Sequence, residues 1–211
     1  MNINTLRAEY NIHDSIRIVI CFGSVVNFGY PTNPDKSAIV NAANNLCLGG
    51  GGVDGAISTA GGERLLNDRR ALPSIRGHGR EVRCKTGDAV ITGPNQYGQL
   101  LTPFVIHAVG PNYSVPKYRN NMKKGDSKLH NAYKKSLMLA RQHGVEAIAF
   151  SLISSGAFLG DNSVHRVGNI AMRTIVECDY EELREVHFCA HDQNEFLSLI
   201  EVAYSLGLSR E

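Results

Sequence analysis

The stretch Ala38-Ile39-Val40-Asn41-Ala42-Ala43-Asn44-Asn45-Leu46-Cys47-Leu48-Gly49-Gly50-Gly51-Gly52-Val53-Asp54-Gly55-Ala56-Ile57-Ser58-Thr59-Ala60-Gly61 decides how the chain is read. A short apolar run ends on small residues and asparagines, crosses four consecutive glycines and restarts as an apolar-periodic segment bearing one carboxylate. That is a strand, a loop of phosphate size and the start of a helix. Glycines let the backbone take positive φ and approach a ligand closely, and a helix N-terminus aims unpaired N–H groups and a positive dipole end into the same space. An anion is the expected occupant. The glycines are not followed by Gly-Lys-Ser/Thr, and their spacing does not fit G-x-G-x-x-G, so neither common nucleotide-phosphate loop is supported.

On the N-terminal side, Ile16–Phe22 is apolar enough for a buried strand that breaks at Gly23; Val25-Val26 reads as a second short strand and Gly29–Lys36 as turn. On the C-terminal side, the helix from Val53 runs to Ala60, is interrupted at Gly61-Gly62 and resumes over Glu63–Arg70 before Pro73 stops it. Ser74–Glu81 is polar and glycine-rich and reads as an exposed loop. Lys85–Thr92 and Phe104–Pro111 are turn-plus-strand and strand. Asn112–Gly125 lacks periodicity, and its lysines and arginine read as a solvated loop; Ser127 is then the expected N-cap of a helix ending at Gly144. Ile148–Ile153 is a central strand, followed by the small-residue loop Ser154–Gly160, a helix capped by Asn162 or Ser163, a last strand Val186–Ala190, and a terminal helix opened by Asp192. Strands alternating with helices predict an α/β protein with helices on both faces of a largely parallel sheet, organised as one domain over residues 1–211.

With 22 basic and 20 acidic residues the formal charge is +2, too balanced to argue for nucleic acid. No run reaches the roughly 18 apolar residues of a membrane span, and the N-terminal segment lacks a signal-peptide pattern. Five scattered cysteines without a C-x-x-C pair argue for reduced thiols in an intracellular compartment, cytoplasm or nucleus, and neither they nor the eight histidines show zinc-ligand spacing. The expected metal and cofactor complement is none.

Asn41-Ala42-Ala43-Asn44 followed by Gly49-Gly50-Gly51-Gly52-Val53-Asp54-Gly55-Ala56-Ile57 resembles the macrodomain family, modules that bind and hydrolyse ADP-ribose derivatives, and within it the MacroD-like hydrolases. Lys85–Thr92 and Val105–Pro111 resemble the same family. The resemblance implies a three-layer α-β-α sandwich with a mixed sheet. Ligands of open α/β sheets lie at the carboxyl ends of strands, so Asn41, Asn44, the glycines and loop 154–160 should meet in one crevice. There Gly50, Gly51, Gly52 and Val53 on one side and Ser154, Ser155, Gly156, Ala157 and Phe158 on the other would grip a diphosphate through N–H donors.

By the same resemblance, Asn44 hydrogen-bonds the distal ribose, Phe158 packs against it, and Asp54 aligns an attacking water; read from spacing alone, Asn44 is equally an αL turn residue and Asp54 a helix N-terminal carboxylate. Asn41 reads as a structural tie within the loop, His107 as a satisfied core histidine, and His191 as a neighbour of the adenine, with Phe196 on a buried helix face. Two positions depart from the family pattern. Ser58 stands where a histidine commonly follows the loop aspartate, and Ser24 stands where an aspartate takes the adenine amino group. The implied activity is mono-ADP-ribosyl hydrolysis at acidic side chains and/or deacetylation of O-acetyl-ADP-ribose, with ADP-ribose or an ADP-ribosylated protein as partner and the protein a monomer. The alternatives are an ADP-ribose reader with little catalysis and an ADP-ribose 1″-phosphate phosphatase.

Overall fold

The computed structural model describes residues 6–12, 15–77 and 80–210. Its main sheet is built from β1 (Arg7–Ile12), β2 (Ile16–Phe22), β3 (Ser37–Ala42), β6 (Asp88–Thr92), β7 (Phe104–Val109), β8 (Ala147–Ser151), β9 (Glu185–Ala190) and β10 (Ser209–Arg210). A separate antiparallel pair is formed by β4 (Ile75–Gly77) and β5 (Arg80–Val82). The helices are α1 (Gly52–Ala71), α2 (Pro116–Arg119), α3 (Met122–Gln142), α4 (Val164–Glu177) and α5 (Gln193–Ser205). Strand order is β10-β1-β2-β9-β8-β3-β7-β6, parallel from β2 through β7 and antiparallel at both margins. The sheet is therefore mixed, as expected.

Because side chains alternate across a strand, neighbouring residues of the central strands serve opposite layers. Val40, Ile148, Phe150, Val186 and Phe188 join Leu129, Tyr133, Met172 and Leu199 of α3, α4 and α5 in one core; Ile39, Ala147, Ala149 and Val105 join Ile57, Ala60 and Leu65 of α1 in the other. Three layers result, and central strands buried on both faces explain their near-continuous apolar runs.

Helix α1 is kinked at Gly62, whose φ of 63° and ψ of −159° lie outside helical space. The break frees the Ala60 carbonyl, which accepts from Gln99 N–H at 2.8 Å. Beyond the corner, Asp68 accepts from Tyr97 Oη at 2.6 Å and Asn95 Nδ2 at 2.7 Å, so the segment after β6 fixes the angle between the two halves.

Four sequence readings need correction. Val25–Asn27 is a 3₁₀ turn rather than a strand, because Ser24 Oγ caps it by accepting from Val26 N–H at 3.3 Å. Ser74–Glu81, expected as an exposed loop, carries β4 and the start of β5, which pair antiparallel; His78 and Gly79 lie outside the described residues. Helix α3 starts at Met122, capped by Asn121, so Ser127 sits inside it. Tertiary packing overrides the poor local helix signal there: Gly125 lies so close to Tyr113 that a Cβ would stand 2.5 Å from the ring. Finally, β1 extends the sheet beyond β2 and β10 pairs with β1 at the margin, so Val186–Ala190 is not the last strand. Among the described residues no helix is long and apolar enough to cross a membrane.

Candidate ADP-ribose crevice

Strand β3 delivers Asn41 fully buried and Asn44 half-buried. Asn44 shapes the loop: its Oδ1 accepts from Leu46 N–H at 3.0 Å and its Nδ2 donates to Gly49 O at 2.9 Å. An amide has two donor hydrogens and two acceptor lone pairs, so half its capacity remains. Asn44 is not itself the left-handed residue of the turn, a conformation that falls on Cys47 at a φ of 55°; its side-chain bonds instead brace the turn and orient the amide.

Asn41 is tied to side chains rather than loop backbone. Its Nδ2 donates to Asp54 Oδ1 at 2.8 Å and faces His107 Nδ1 at 3.2 Å. An amide nitrogen only donates, so His107 Nδ1 accepts and Nε2 carries the proton toward Thr92 Oγ1, 3.1 Å away. Burial drives the His107 pKa well below its ordinary value and the nearby Arg69 charge adds to this, which fixes the ring neutral. The histidine is thus the satisfied core residue expected of it, and it also aims Asn41 at Asp54.

Asp54 is 3% exposed and stands in the first turn of α1. Its Oδ1 lies 3.2 Å from Arg69 Nη1, and that same nitrogen donates to Ser58 Oγ at 2.7 Å while Ser58 donates to Asp54 O at 2.6 Å. Arg69 is 15 positions beyond Asp54, about 22 Å along a straight helix; the kink at Gly62 turns it back. Sequence reasoning missed Arg69, because its partner is set by that fold-back. Asp54 Oδ2 is buried and has no hydrogen-bond partner among the described residues. It lies over Gly50, where a Cβ would meet both Asp54 Oδ2 and Asn44 Nδ2 at 3.1 Å. A Cβ at this position would press both groups back by a few tenths of an ångström, so glycine favours their convergence beside the loop backbone.

No side chain caps the start of α1 behind Gly51, so the N–H groups of its first turn stay available to an anion. Gly51 and Gly52 are exposed and nothing lies within 4 Å of their Cβ positions. The facing loop is locked from behind. Ser154 holds a φ of 63°, its Oγ donating to Pro111 O at 2.8 Å; Tyr133 Oη accepts from Ile153 N–H at 2.9 Å; and Tyr113 N–H donates to Phe158 O at 2.8 Å. Gly156 and Ala157 are exposed and Phe158 is half-buried. Ser155 Oγ hydrogen-bonds Glu195, which also accepts from His191 N–H at 2.8 Å. Glu195, a second residue missed from sequence, thereby couples loop 154–160 to the loop after β9. His191 is exposed and Phe196 is buried.

Because β2, β9, β8 and β3 are parallel neighbours, the loops carrying Ser24, His191, Ser154–Phe158 and Gly49–Val53 emerge in that order along one sheet edge. At the β2 end, Cys21, Gly23, Ser24, Asn27, Phe28 and His187 contribute to a cavity of about 450 Å³.

The macro domain family profile matches residues 40–165. This chain belongs to the macro domain family. An O-acetyl-ADP-ribose deacetylase of Pantoea vagans is 36% identical over 174 residues, covering 80% of this chain and 93% of that protein. Among solved structures, the Oceanobacillus iheyensis macrodomain with ADP is similar at a TM-score of 0.77 and 28% identity, covering 95% of this chain and 96% of that one. A Trypanosoma brucei macrodomain in complex with ADP-ribose is similar at a TM-score of 0.68 and 28% identity, covering 87% of this chain and 68% of that one.

In this macrodomain, Ser58 takes a definite job. It is small enough to lie 3.2 Å from where a Gly49 Cβ would be, and it supplies the acceptor that holds Arg69 against Asp54. Ser24 caps the turn after β2 with its hydroxyl, at the cavity wall.

Proposed function

We propose that this macrodomain binds ADP-ribose along the edge from β2 to β3 and hydrolyses the ester through which it is joined to an acidic side chain or an acetyl group. Three inter-strand spacings of 4.7–4.9 Å make that edge about 14 Å long, with the uncapped helix α1 and loop 154–160 around the diphosphate. The cavity beside Ser24 takes the adenine, and the Asn44 amide takes the distal ribose. The carrying observation is the convergence of Asn44 Nδ2 and the unpartnered Asp54 Oδ2 over Gly50. Oδ1 is anchored by Asn41 and Arg69, which leaves Oδ2 to hold and orient a water for attack while Arg69 offsets the repulsion between the carboxylate and the diphosphate.

A reader module is the second reading, supported by one fact: Asp54 is already engaged by a buried guanidinium at 3.2 Å. The two are separated by incubating the wild type and Asp54→Asn with a protein ADP-ribosylated on glutamate and following free ADP-ribose. Hydrolysis should fall at least about 100-fold in the variant, the low end for losing a positioned base, with ADP-ribose affinity changed far less. Undiminished turnover in Asp54→Asn would make the residue purely structural; binding without turnover in the wild type would establish the reader.

A further inference from the structure

The strand pair β2–β9 carries a side-chain cluster that ester hydrolysis does not use. Cys21 and Cys189 are register partners on adjacent parallel strands, so their side chains share a face, and the sulfurs lie 3.6 Å apart. The two-residue period of β9 puts His187 and Glu185 on the same face, with His187 Nε2 2.8 Å from a Glu185 oxygen. The His187 ring lines the same cavity as Cys21 and packs on Phe28 at 4.7 Å. Arg17 of β2 ion-pairs with Glu185, and Arg7 of β1 is the register partner of Cys21. Cys21 is half-buried at the wall of the 450 Å³ cavity, and Cys189 lies deeper at 8% exposure.

The charges reinforce one another. The Cys21 thiol is pulled down to about 5 by its hydrogen bond with Cys189, against burial, with His187 and Arg7 contributing. Burial opposes a charge on His187, but the nearby Cys21 and Glu185, the latter bonded to its ring, outweigh that and hold its pKa above the ordinary value. Glu185 is lowered to about 2 by the hydrogen bond from His187, against burial, with Arg17 assisting. Cys189 is pushed well up by its bond to Cys21 and by burial. A nucleophile, a proton partner and a group that orients that partner are the parts an activated thiol needs.

We propose that Cys21 and Cys189 form a thiol–disulfide exchange site that takes low-molecular-weight disulfides from the cavity. The Cys21 thiolate attacks one sulfur of the incoming disulfide, forming a mixed disulfide; the first thiolate leaves and takes the proton from His187. Cys189 then gives its proton to His187 and attacks the Cys21 sulfur, and the second thiolate leaves with that proton. Two protein thiols are oxidised by two electrons to one internal disulfide, and one small disulfide is reduced to two thiols. Neighbouring strands place Cα atoms about 4.8 Å apart, inside the range of roughly 4.4–6.8 Å that a disulfide bridges. The cavity is the one the proposed function gives to adenine, so the assay uses the ligand-free protein, and the exchange rests on the thiol pair whether or not ADP-ribose is the ligand.

Cys178, also half-buried but with its thiol pKa raised by burial, is an internal control. At pH 6 a thiol of pKa about 5 is roughly 300-fold more ionised than an ordinary one of pKa about 8.5, and its weaker nucleophilicity returns about 40-fold of that. The full chain, reduced and treated with dipyridyl disulfide at pH 6, should therefore lose Cys21 roughly tenfold faster than Cys178. Its fast phase should release two pyridinethiones, retain no pyridyl label and yield a Cys21–Cys189 linked peptide. Cys189→Ser should release one pyridinethione and keep the label on Cys21. Cys21→Ser, which keeps a group of similar size, should abolish the fast phase. Cys21 reacting no faster than Cys178, or a stable pyridyl label on wild-type Cys21, would overturn the proposal.

Discussion

At the scale of single residues, the site is governed by a buried chain running from Thr92 through His107, Asn41 and Asp54 to Arg69 and Ser58. Asp54 and Arg69 are 3% and 1% exposed, so neither charge has much water to fall back on. Arg69→Met, which roughly preserves volume, strands the carboxylate, and loss of one partner of a buried pair costs about 3–5 kcal/mol. Urea unfolding should show a midpoint lowered accordingly; an unchanged midpoint would mean that Asp54 is solvated in solution. His107 makes a separate prediction with a definite sign. Its pKa is depressed in the folded state, so below about pH 6.5 the unfolded chain takes up a proton that the folded one refuses, and stability falls as pH falls. His107→Gln lacks this dependence while offering a donor and an acceptor. Its stability deficit relative to wild type should shrink by up to about 1.4 kcal/mol per pH unit between roughly pH 6 and 5. Parallel stability profiles for the two proteins would contradict a neutral buried His107. Asp54, Asn41 and Asn44 were legible in the sequence because glycines and small residues mark their loop. Arg69 was not, since an arginine near a helix C-terminus normally reads as an exposed, dipole-favoured charge.

At the scale of elements, α1 shows how one backbone position creates that hidden contact. The Gly61-Gly62 interruption was visible as a break, but the angle across it was not. It depends on Gln99 capping Ala60 and on Tyr97 and Asn95 holding Asp68. Nothing lies within 4 Å of a Cβ at Gly62, so a substitution there tests backbone conformation alone. Gly62→Ala should destabilise by about 1–3 kcal/mol, the cost of a non-glycine residue in this φ/ψ region. Under the proposed activity it should also slow release of ADP-ribose from an ester-linked substrate by loosening Arg69 from Asp54. Calorimetric melting with a parallel activity assay would check both, and an unshifted melting temperature would show that the kink is not held as described. The same dependence on tertiary context explains the misplaced start of α3, where packing of Gly125 on Tyr113 extends the helix through a glycine.

For the whole molecule, the three-layer order was legible because central strands buried on both faces give apolar runs that stand out from the amphipathic helices. The margins were harder. Strand β1, Arg7-Ala8-Glu9-Tyr10-Asn11-Ile12, alternates polar and apolar residues with the period of a half-buried strand, a signal that a reading centred on apolar runs passes over. The pairing of β2 with β9, which brings Cys21 to Cys189 across 168 positions, belongs to the topology and has no local signature. That topology also places the loops after β2, β9, β8 and β3 along one edge, so the central claim is that ADP-ribose lies there with its diphosphate between α1 and loop 154–160. Gly156 offers a clean probe: it is exposed, and nothing within 4 Å obstructs a side chain. Glutamate at this position projects bulk and negative charge into the crevice while leaving the loop's anchors at Ser154 and Phe158 untouched. The decisive measurement is calorimetric titration of ADP-ribose into wild type and Gly156→Glu, with the fold of each checked by circular dichroism. Binding to the wild type and none detectable to the variant is the predicted result; equal affinity in two folded proteins would contradict the placement of the ligand.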